Sequence, residues 1–172
     1  MAQTSTLTSP LHSEEDRTSF GISGRVHIYK KFDSGLEETV FHEDNLIVQN
    51  GKLLVLTNLY FPQGGGDPLA YAKVGTGGAY DPAGAFLKPV TTDMTDLFSP
   101  VEIIPIYRAA QDASIPSVTM LASVDNSQGN GLRLNEAGFF SRSGIMFNIK
   151  VFPGTLKTTA FALNFRWDIK II

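Results

Sequence analysis

The stretch that decides the fold lies at the C-terminal end, where residues 161–171 read FALNFRWDIKI. Every second residue is large and apolar, and the residues between are small or polar. A strand places alternate side chains on opposite faces, whereas a helix would spread the same apolar residues around all its sides. The pattern therefore predicts a long strand with one buried face, formed by Phe161, Leu163, Phe165, Trp167, Ile169 and Ile171.

Shorter apolar or alternating segments precede this strand, and Gly, Pro, Asn and Ser residues separate them. Strands with one dry face and turn signals between them are typical of two packed antiparallel sheets. We therefore expect a mainly β fold, an antiparallel β-sandwich. Residues 101–108 contain Pro105, which cannot donate to a β-ladder, so this strand is expected at a sheet edge or bent.

One segment has helical spacing instead. From Lys52 to about Phe61 the apolar residues lie three and four positions apart, which predicts one short helix. Asn50-Gly51 before it is a turn signal that could also cap the helix. A strand that runs through Leu56 is the alternative interpretation.

Residues 1–19 are polar, rich in Ser and Thr, and almost free of large apolar side chains. Such a segment cannot bury enough surface to offset its ordering entropy, which predicts a flexible N-terminal arm. This arm either stays disordered or becomes ordered against a neighbouring subunit. The remaining residues, 20–172, are expected to form a single β-sandwich domain.

Residues 62–100 contain repeated Gly and Pro; they predict a flexible loop over 62–69, a short strand from Ala70 to Val74 and a long irregular connection over 79–100, together called the loop 62–100. The loop nevertheless carries more large apolar side chains than a solvated loop needs. They are candidates for an interface with a partner, or alternatively they cover the domain's own core. The interface candidates are Leu69, Tyr71, Tyr80, Phe86, Leu87, Leu97 and Phe98.

The composition narrows the function classes. The chain has 172 residues, no cysteine and a formal net charge of −3. We therefore expect no disulfide and no zinc–thiolate site, and no nucleic-acid partner, because phosphate contacts need a basic surface. No apolar run approaches about 18 residues and no signal peptide is evident, so we expect a soluble protein without a membrane partner.

Known catalytic and ligand-binding patterns do not fit the sequence. Gly75-Thr76-Gly77-Gly78 is not followed by a helix or by a Gly-Lys-Thr/Ser ending, so a tight turn is expected instead of a phosphate loop. His27 and His42 could face each other on paired strands and bind a metal with a third ligand, or they are simply exposed on a hairpin. We find no paired carboxylates for acid–base catalysis and no nucleophile elbow. The sequence predicts no catalytic residue, cofactor or metal, and hence no enzyme.

A series of short motifs follows in a fixed order from residue 45 to the C-terminal end. They are Asn45-Leu46-Ile47 with Asn50-Gly51, Gly75-Thr76-Gly77, Thr95-Asp96-Leu97, Glu136-Ala137-Gly138-Phe139, Ser143-Gly144, Phe152-Pro153 with Lys157, and Trp167-Asp168-Ile169. In this order and combination the chain resembles structural proteins of tailed-bacteriophage particles. Similar modules occur in neck or collar proteins, in head decoration and in fibre attachment.

The resemblance implies a virion protein that is made in the host cytoplasm, forms a homo-oligomer and contacts portal, head-completion, tail or fibre proteins. Virion parts need symmetric, mostly apolar interfaces. The arm and the loop 62–100 are the segments expected to contact neighbours.

Two other functions stay open. One is a fibre-associated module that binds a receptor or a carbohydrate, for which Phe20, Tyr29, Tyr71 and Tyr80 are candidate aromatic contacts. The other is a β-sandwich adaptor unrelated to phages.

Overall fold

The computed structural model describes residues 21–60, 66–112 and 114–172, so the predicted arm over residues 1–19 lies outside the described residues. The prediction of a mainly β chain with one short helix is confirmed. The elements are β1 (Ile22–Phe32), β2 (Glu37–Ile47), α1 (Gln49–Tyr60), β3 (Leu69–Gly75), β4 (Pro100–Asp112), β5 (Ser117–Val124), β6 (Arg133–Ser141), β7 (Asn148–Leu156) and β8 (Phe161–Ile171).

These strands form one closed antiparallel barrel in the order β1-β2-β7-β6-β3-β4-β5-β8, so the prediction of a β-sandwich is wrong. The sheet closes because β8 pairs with β5 on one side and with β1 on the other. An inward-facing row of apolar side chains has a period of two in a barrel and in a sandwich alike. The alternation in β8 therefore defined the strand but not the sheet to which it belongs.

The barrel interior is filled with side chains. Phe161, Leu163, Phe165 and Trp167 of β8 are buried as predicted, but Ile169 is only half-buried and Ile171 is exposed at the end of the strand. The Trp167 ring packs against Phe139 of β6, with ring centroids 4.6 Å apart. An eight-stranded barrel has an interior just wide enough for such packing.

Helix α1 covers the end of the barrel where β2 and β8 finish. Leu54 reaches the barrel core and is buried there. The helix begins at Gln49, so Asn50-Gly51 lies in its first turn and does not precede it. A side chain at Gly51 would not fit, because a Cβ atom there would lie 2.1 Å from the carbonyl oxygen of Phe147. Within the described ranges, no helix has the length and apolar character that a membrane crossing requires.

Strand β4 was expected at a sheet edge or bent, and it changes partner along its length, with a register irregularity between Ile106 and Arg108 that agrees with a bent strand. Residues 100–105 pair with β3, and pairing with β5 begins at Ile106. Pro105 is opposite Tyr71 at the end of the first ladder. The missing N–H of the proline thus falls where β4 changes partner, which is a position that a barrel tolerates.

Candidate assembly interface

A second layer covers part of the barrel from outside. Residues 76–99, here called the outer loop, connect β3 to β4 and pack over the outer faces of β3, β6 and β7. The side chains beneath and within this layer form their own apolar cluster: Val48, Leu97, Phe140, Met146 and Ile149, with Leu46, Tyr71, Val90 and Met94 around them. Strand β6 is consequently buried on both faces from Leu134 to Ser141.

One buried carboxylate fixes both ends of the outer loop. Glu136 of β6 is fully buried. Its Oε1 accepts the backbone N–H of Gly77 at 2.9 Å and that of Ser99 at 2.7 Å. Its Oε2 accepts the N–H of Phe98 at 2.8 Å. Hydrogen bonds to an ionised acceptor are stronger than neutral ones, so this arrangement, here called the Glu136 latch, holds the start and end of the loop together.

The latch explains why two of the sequence motifs occur together. Gly75 and Glu136 are partners in the β3–β6 ladder, so the glycine turn lies directly over the carboxylate. A Cβ atom at Gly77 would be 2.7 Å from both the backbone N of Ser99 and the Cβ of Phe98. The turn therefore needs glycine for close backbone approach, in agreement with the tight turn predicted from the sequence.

The Thr95-Asp96-Leu97 motif attaches the loop at another point. Asp96 Oδ2 accepts a hydrogen bond from the ammonium group of Lys73 at 2.7 Å, and this ammonium lies 4.4 Å from the ring centre of Phe140. The adjacent Leu97 is buried against the same cluster. Such a partly exposed ion pair contributes little by itself, so burial of Leu97 is the main attachment here.

The tip of the outer loop is also held in place. Residues 78–88 double back on themselves, with backbone hydrogen bonds from Tyr80 to Phe86 and from Lys88 to Gly78. The turn at Gly84 touches Gly154 of β7 so closely that a Cβ atom would lie 2.3 Å from its backbone N. The backbone that carries Phe86 is therefore bonded within the chain before any partner binds.

The predicted interface residues divide into two groups. Leu97 is buried, Leu69 packs against the barrel core, and Tyr71 stacks on Phe140 beneath the loop, so these three cover the chain's own core. The others are exposed at the surface. They are Tyr80 (65%), Phe86 (66%), Leu87 (38%) and Phe98 (40%). The part of the predicted loop over residues 62–65 lies outside the described residues.

Sequence analysis missed a second exposed apolar surface, on β4. Val101, Ile103 and Tyr107 alternate along the outer face, with exposed Pro105 between them; Ile103 is 63% exposed. These four residues are here called the β4 stripe, and they follow directly after Phe98 in the chain. The inward partner Ile104 is fully buried. The segment is apolar on both faces, so its sequence does not distinguish the core face from the exposed one.

A further exposed apolar group lies at the helix end of the barrel. Leu53, Leu56 and Leu59 of α1 are all at least half exposed. Leu56 and Ile172 line a hollow of about 310 Å³ beside Gly21, whose N–H donates to the carbonyl of Ile172 at 2.7 Å. Gly21, directly before β1, thus lies next to apolar side chains that no other described residue covers.

The two strand histidines do face each other, as predicted. His27 and His42 are directly paired between β1 and β2, with ring centroids 5.0 Å apart. His27 Nε2 lies 3.0 Å from the hydroxyl of Thr39. Among the residues that the structure describes, no group of three or more His, Cys, Asp or Glu side chains is placed to hold a metal ion.

No protein-family model, curated protein or solved structure matches this chain. Its function must therefore be inferred from its own surface and from the resemblance of its motifs.

Proposed function

We propose that this protein is a structural component of a tailed-phage particle, which assembles by protein–protein contacts at the neck or collar or as an accessory head or tail protein. The observation that supports the proposal is a set of large apolar side chains exposed on backbone that is already fixed. Phe86 and Leu87 protrude from the bonded tip of the outer loop, and Ile103 and Tyr107 protrude from β4. Contiguous apolar groups on a soluble surface are typical of sites where another protein binds.

Because the outer loop is anchored, its apolar side chains can bind a partner with a smaller loss of conformational entropy. A flexible loop loses conformational entropy when it docks, and that loss subtracts from affinity. The Glu136 latch and the contact of Gly84 with β7 order the outer loop when the chain folds, so this entropy is lost before a partner binds. Burial of apolar surface on a partner then contributes about 25 cal/mol per Å² with a smaller entropic penalty.

The closed barrel also limits how a partner can bind. An open sheet can add a strand from another chain along its free edge, but here β1, β3 and β8 are paired on both sides along most of their length, whereas β2 is paired with β7 only at Leu46 and Ile47. Most of the barrel backbone is therefore unavailable for strand addition, and association with neighbours can use side chains, loops and the helix. The outer loop, the β4 stripe and the exposed leucines of α1 supply such surfaces at three separate places, which suits a subunit with several neighbours.

Assembly can be tested with a double variant, Phe86→Ser with Leu87→Ser, in a phage that carries this gene. Both side chains are exposed, so the variant should keep the melting temperature of the parent protein. Loss of their burial on a partner should cost about 3 kcal/mol, or roughly a hundredfold in affinity. We expect far fewer copies in purified particles, measured by quantitative mass spectrometry.

Leu36→Ser is the matched control, because Leu36 is exposed on the β1–β2 turn, far from β3 and β4 in the strand order. It should be incorporated normally. A single Ile103→Ser variant tests the β4 stripe in the same way. Normal copy number for both the double variant and Ile103→Ser would refute assembly through these surfaces, and absence of the parent protein from particles would refute the virion role itself.

A further inference from the structure

The barrel wall formed by β2, β1, β8 and β5 differs from the apolar surfaces described above. Residues in register on neighbouring strands share a face of the sheet, so their side chains form rows across it. One row contains Asp44, Arg25, Asp168 and Thr119, in that order. The next row contains His42, His27, Arg166 and Leu121. This polar wall presents acids, bases, a hydroxyl and imidazole rings side by side.

The charged groups of the polar wall are held in pairs. Arg25 Nε donates to Asp44 Oδ1 at 3.0 Å. Arg166 Nη2 donates to Asp168 Oδ1 at 3.2 Å, and the hydroxyl of Thr119 donates to the same oxygen. Each guanidinium retains free N–H donors and each carboxylate retains a free acceptor oxygen. The wall therefore offers donors and acceptors in alternation while its paired charges cancel.

These side chains line a concave groove in two parts. The larger part is a hollow of about 630 Å³ that includes Arg25, His42, Asp44 and Asp168. The smaller part, about 340 Å³, includes Tyr29 and Leu121 and is less polar. Thr119 and Arg166 line both parts, so the two are continuous. Volumes of this order are typical of small-molecule sites.

A row of flat rings borders the groove. The ring of His27 lies 5.0 Å from that of Tyr29 and 5.0 Å from that of His42. Burial lowers the pKa of His27, and the nearby His42 and Arg166 lower it further. The shift favours the uncharged imidazole of His27, whose ring lies between those of Tyr29 and His42.

We propose that this groove binds a neutral oligosaccharide. Neighbouring hydroxyl groups of a sugar can accept from a guanidinium and donate to a carboxylate at the same time, which is the combination that each Arg–Asp pair presents. The apolar face of a sugar ring packs on the rings of Tyr29 and His42, which line the two parts of the groove. The ligand class is neutral because Asp44 and Asp168 would repel an anion, while Arg25 and Arg166 would repel a cation.

The same groups disfavour other ligands. A nucleic acid would bring phosphates against two carboxylates. An extended peptide that binds by adding a strand would have to pair along the outer edge of β2, beside the groove and not in it, since β1 and β8 are paired on both sides. The groove is lined mainly by β1, β2, β5 and β8, and β4 contributes Ala110 and Asp112 at the end of the strand that is remote from the outer loop, so sugar binding and assembly can occur in the same molecule.

The test is titration of the full chain with maltohexaose, chitohexaose and mannohexaose, followed through the imidazole proton resonances of His27 and His42 by NMR. A trimer of N-acetylneuraminic acid serves as the anionic probe. We expect at least one neutral hexasaccharide to shift both resonances, with a dissociation constant of about 1 mM or below. Arg166→Gln and Asp168→Asn should each weaken this binding about tenfold.

Arg142→Gln is the matched control, because Arg142 is also exposed but lies in the β6–β7 turn, away from the wall. It should leave the affinity unchanged. The proposal is overturned if no neutral hexasaccharide moves the two resonances at concentrations up to about 10 mM, if only the anionic trimer binds, or if binding survives Arg166→Gln and Asp168→Asn. None of these outcomes alters the particle-incorporation test, which depends on the outer loop and the β4 stripe.

Discussion

Replacing Glu136 tests whether one carboxylate holds the outer loop on the barrel. In Glu136→Ala, the backbone N–H groups of Gly77, Phe98 and Ser99 all lose their acceptor. A hydrogen bond to a charged group contributes about 1.5–3 kcal/mol, so three of them set an upper bound of about 9 kcal/mol. Phe98 and Ser99 are exposed residues whose N–H groups can turn to water when the loop lifts. We therefore expect a loss of about 3–5 kcal/mol in the free energy of unfolding.

Glu136→Gln separates the acceptor from the volume of the side chain. Its amide oxygen can still accept from Gly77 and Ser99, as Oε1 does in the parent protein, whereas the amide NH₂ group would face the N–H of Phe98. One lost hydrogen bond and one donor–donor contact should cost about 1–3 kcal/mol. The expected order of stability is thus parent, Gln variant, Ala variant.

Urea unfolding followed by the fluorescence of Trp167, the only tryptophan in the chain, measures the free energy. Amide hydrogen exchange at Gly77, Phe98 and Ser99 reports whether the latch has opened. Glu38→Ala is the control, because Glu38 forms an exposed ion pair with Lys30 that should contribute about 1 kcal/mol or less. If Glu136→Ala is no less stable than this control, or if the three amides keep their protection, the reasoning about the latch is refuted.

Three other changes test the barrel itself. Trp167→Ala should lower the free energy of unfolding by about 3–5 kcal/mol, measured by calorimetry, because it leaves a cavity beside Phe139; an unchanged melting temperature would contradict core packing at this position. Gly51→Ala should cost about 1–3 kcal/mol in urea unfolding, since its methyl group would press on the carbonyl of Phe147, and a neutral effect would show that α1 can move freely. The pKa of His27 is held below its ordinary value of 6.5, so the unfolded chain binds the proton more readily and stability should fall as pH drops below 6.5. Thermal melts of His27→Gln should lose part of this dependence, and an identical pH profile would refute the assignment.

The alternation in residues 161–171 was sufficient to predict β8 and most of its buried face, because a period of two depends only on local backbone geometry. The closure of the sheet was not predictable in this way. It depends on the pairing of Ile22 with Ile171, at opposite ends of the described chain, and nothing in either segment specifies its partner. For the same reason, Pro105 predicted an edge or a bend in residues 101–108 but could not show that β4 pairs with β3 before it and with β5 after it.

The candidate interface was predictable only in part. Leu87 and Leu97 are the same residue type in the same loop, yet Leu87 is exposed and Leu97 is buried, because Leu97 packs against the apolar cluster beneath the loop. Composition cannot separate them. A signal for the latch was present, however: Glu136 directly precedes the apolar and small residues 137–140, and a buried carboxylate requires donors from elsewhere in the fold.

The position of β8 has a consequence for how the protein is made. Of the eight barrel strands, β8 is synthesised after the other seven, and it lies between β5 and β1, which remain unpaired on one side until it arrives. The nascent chain therefore carries two open strand edges of the kind that adhere to other chains. Pairing between such distant segments is also slow, because the entropy of closing the long intervening chain is lost before the ladder forms. Aggregation is thus most favoured in the interval before β8 pairs with β5 and β1. Conditions that slow this late pairing should reduce the yield of folded protein more than substitutions that lower the stability of the closed barrel.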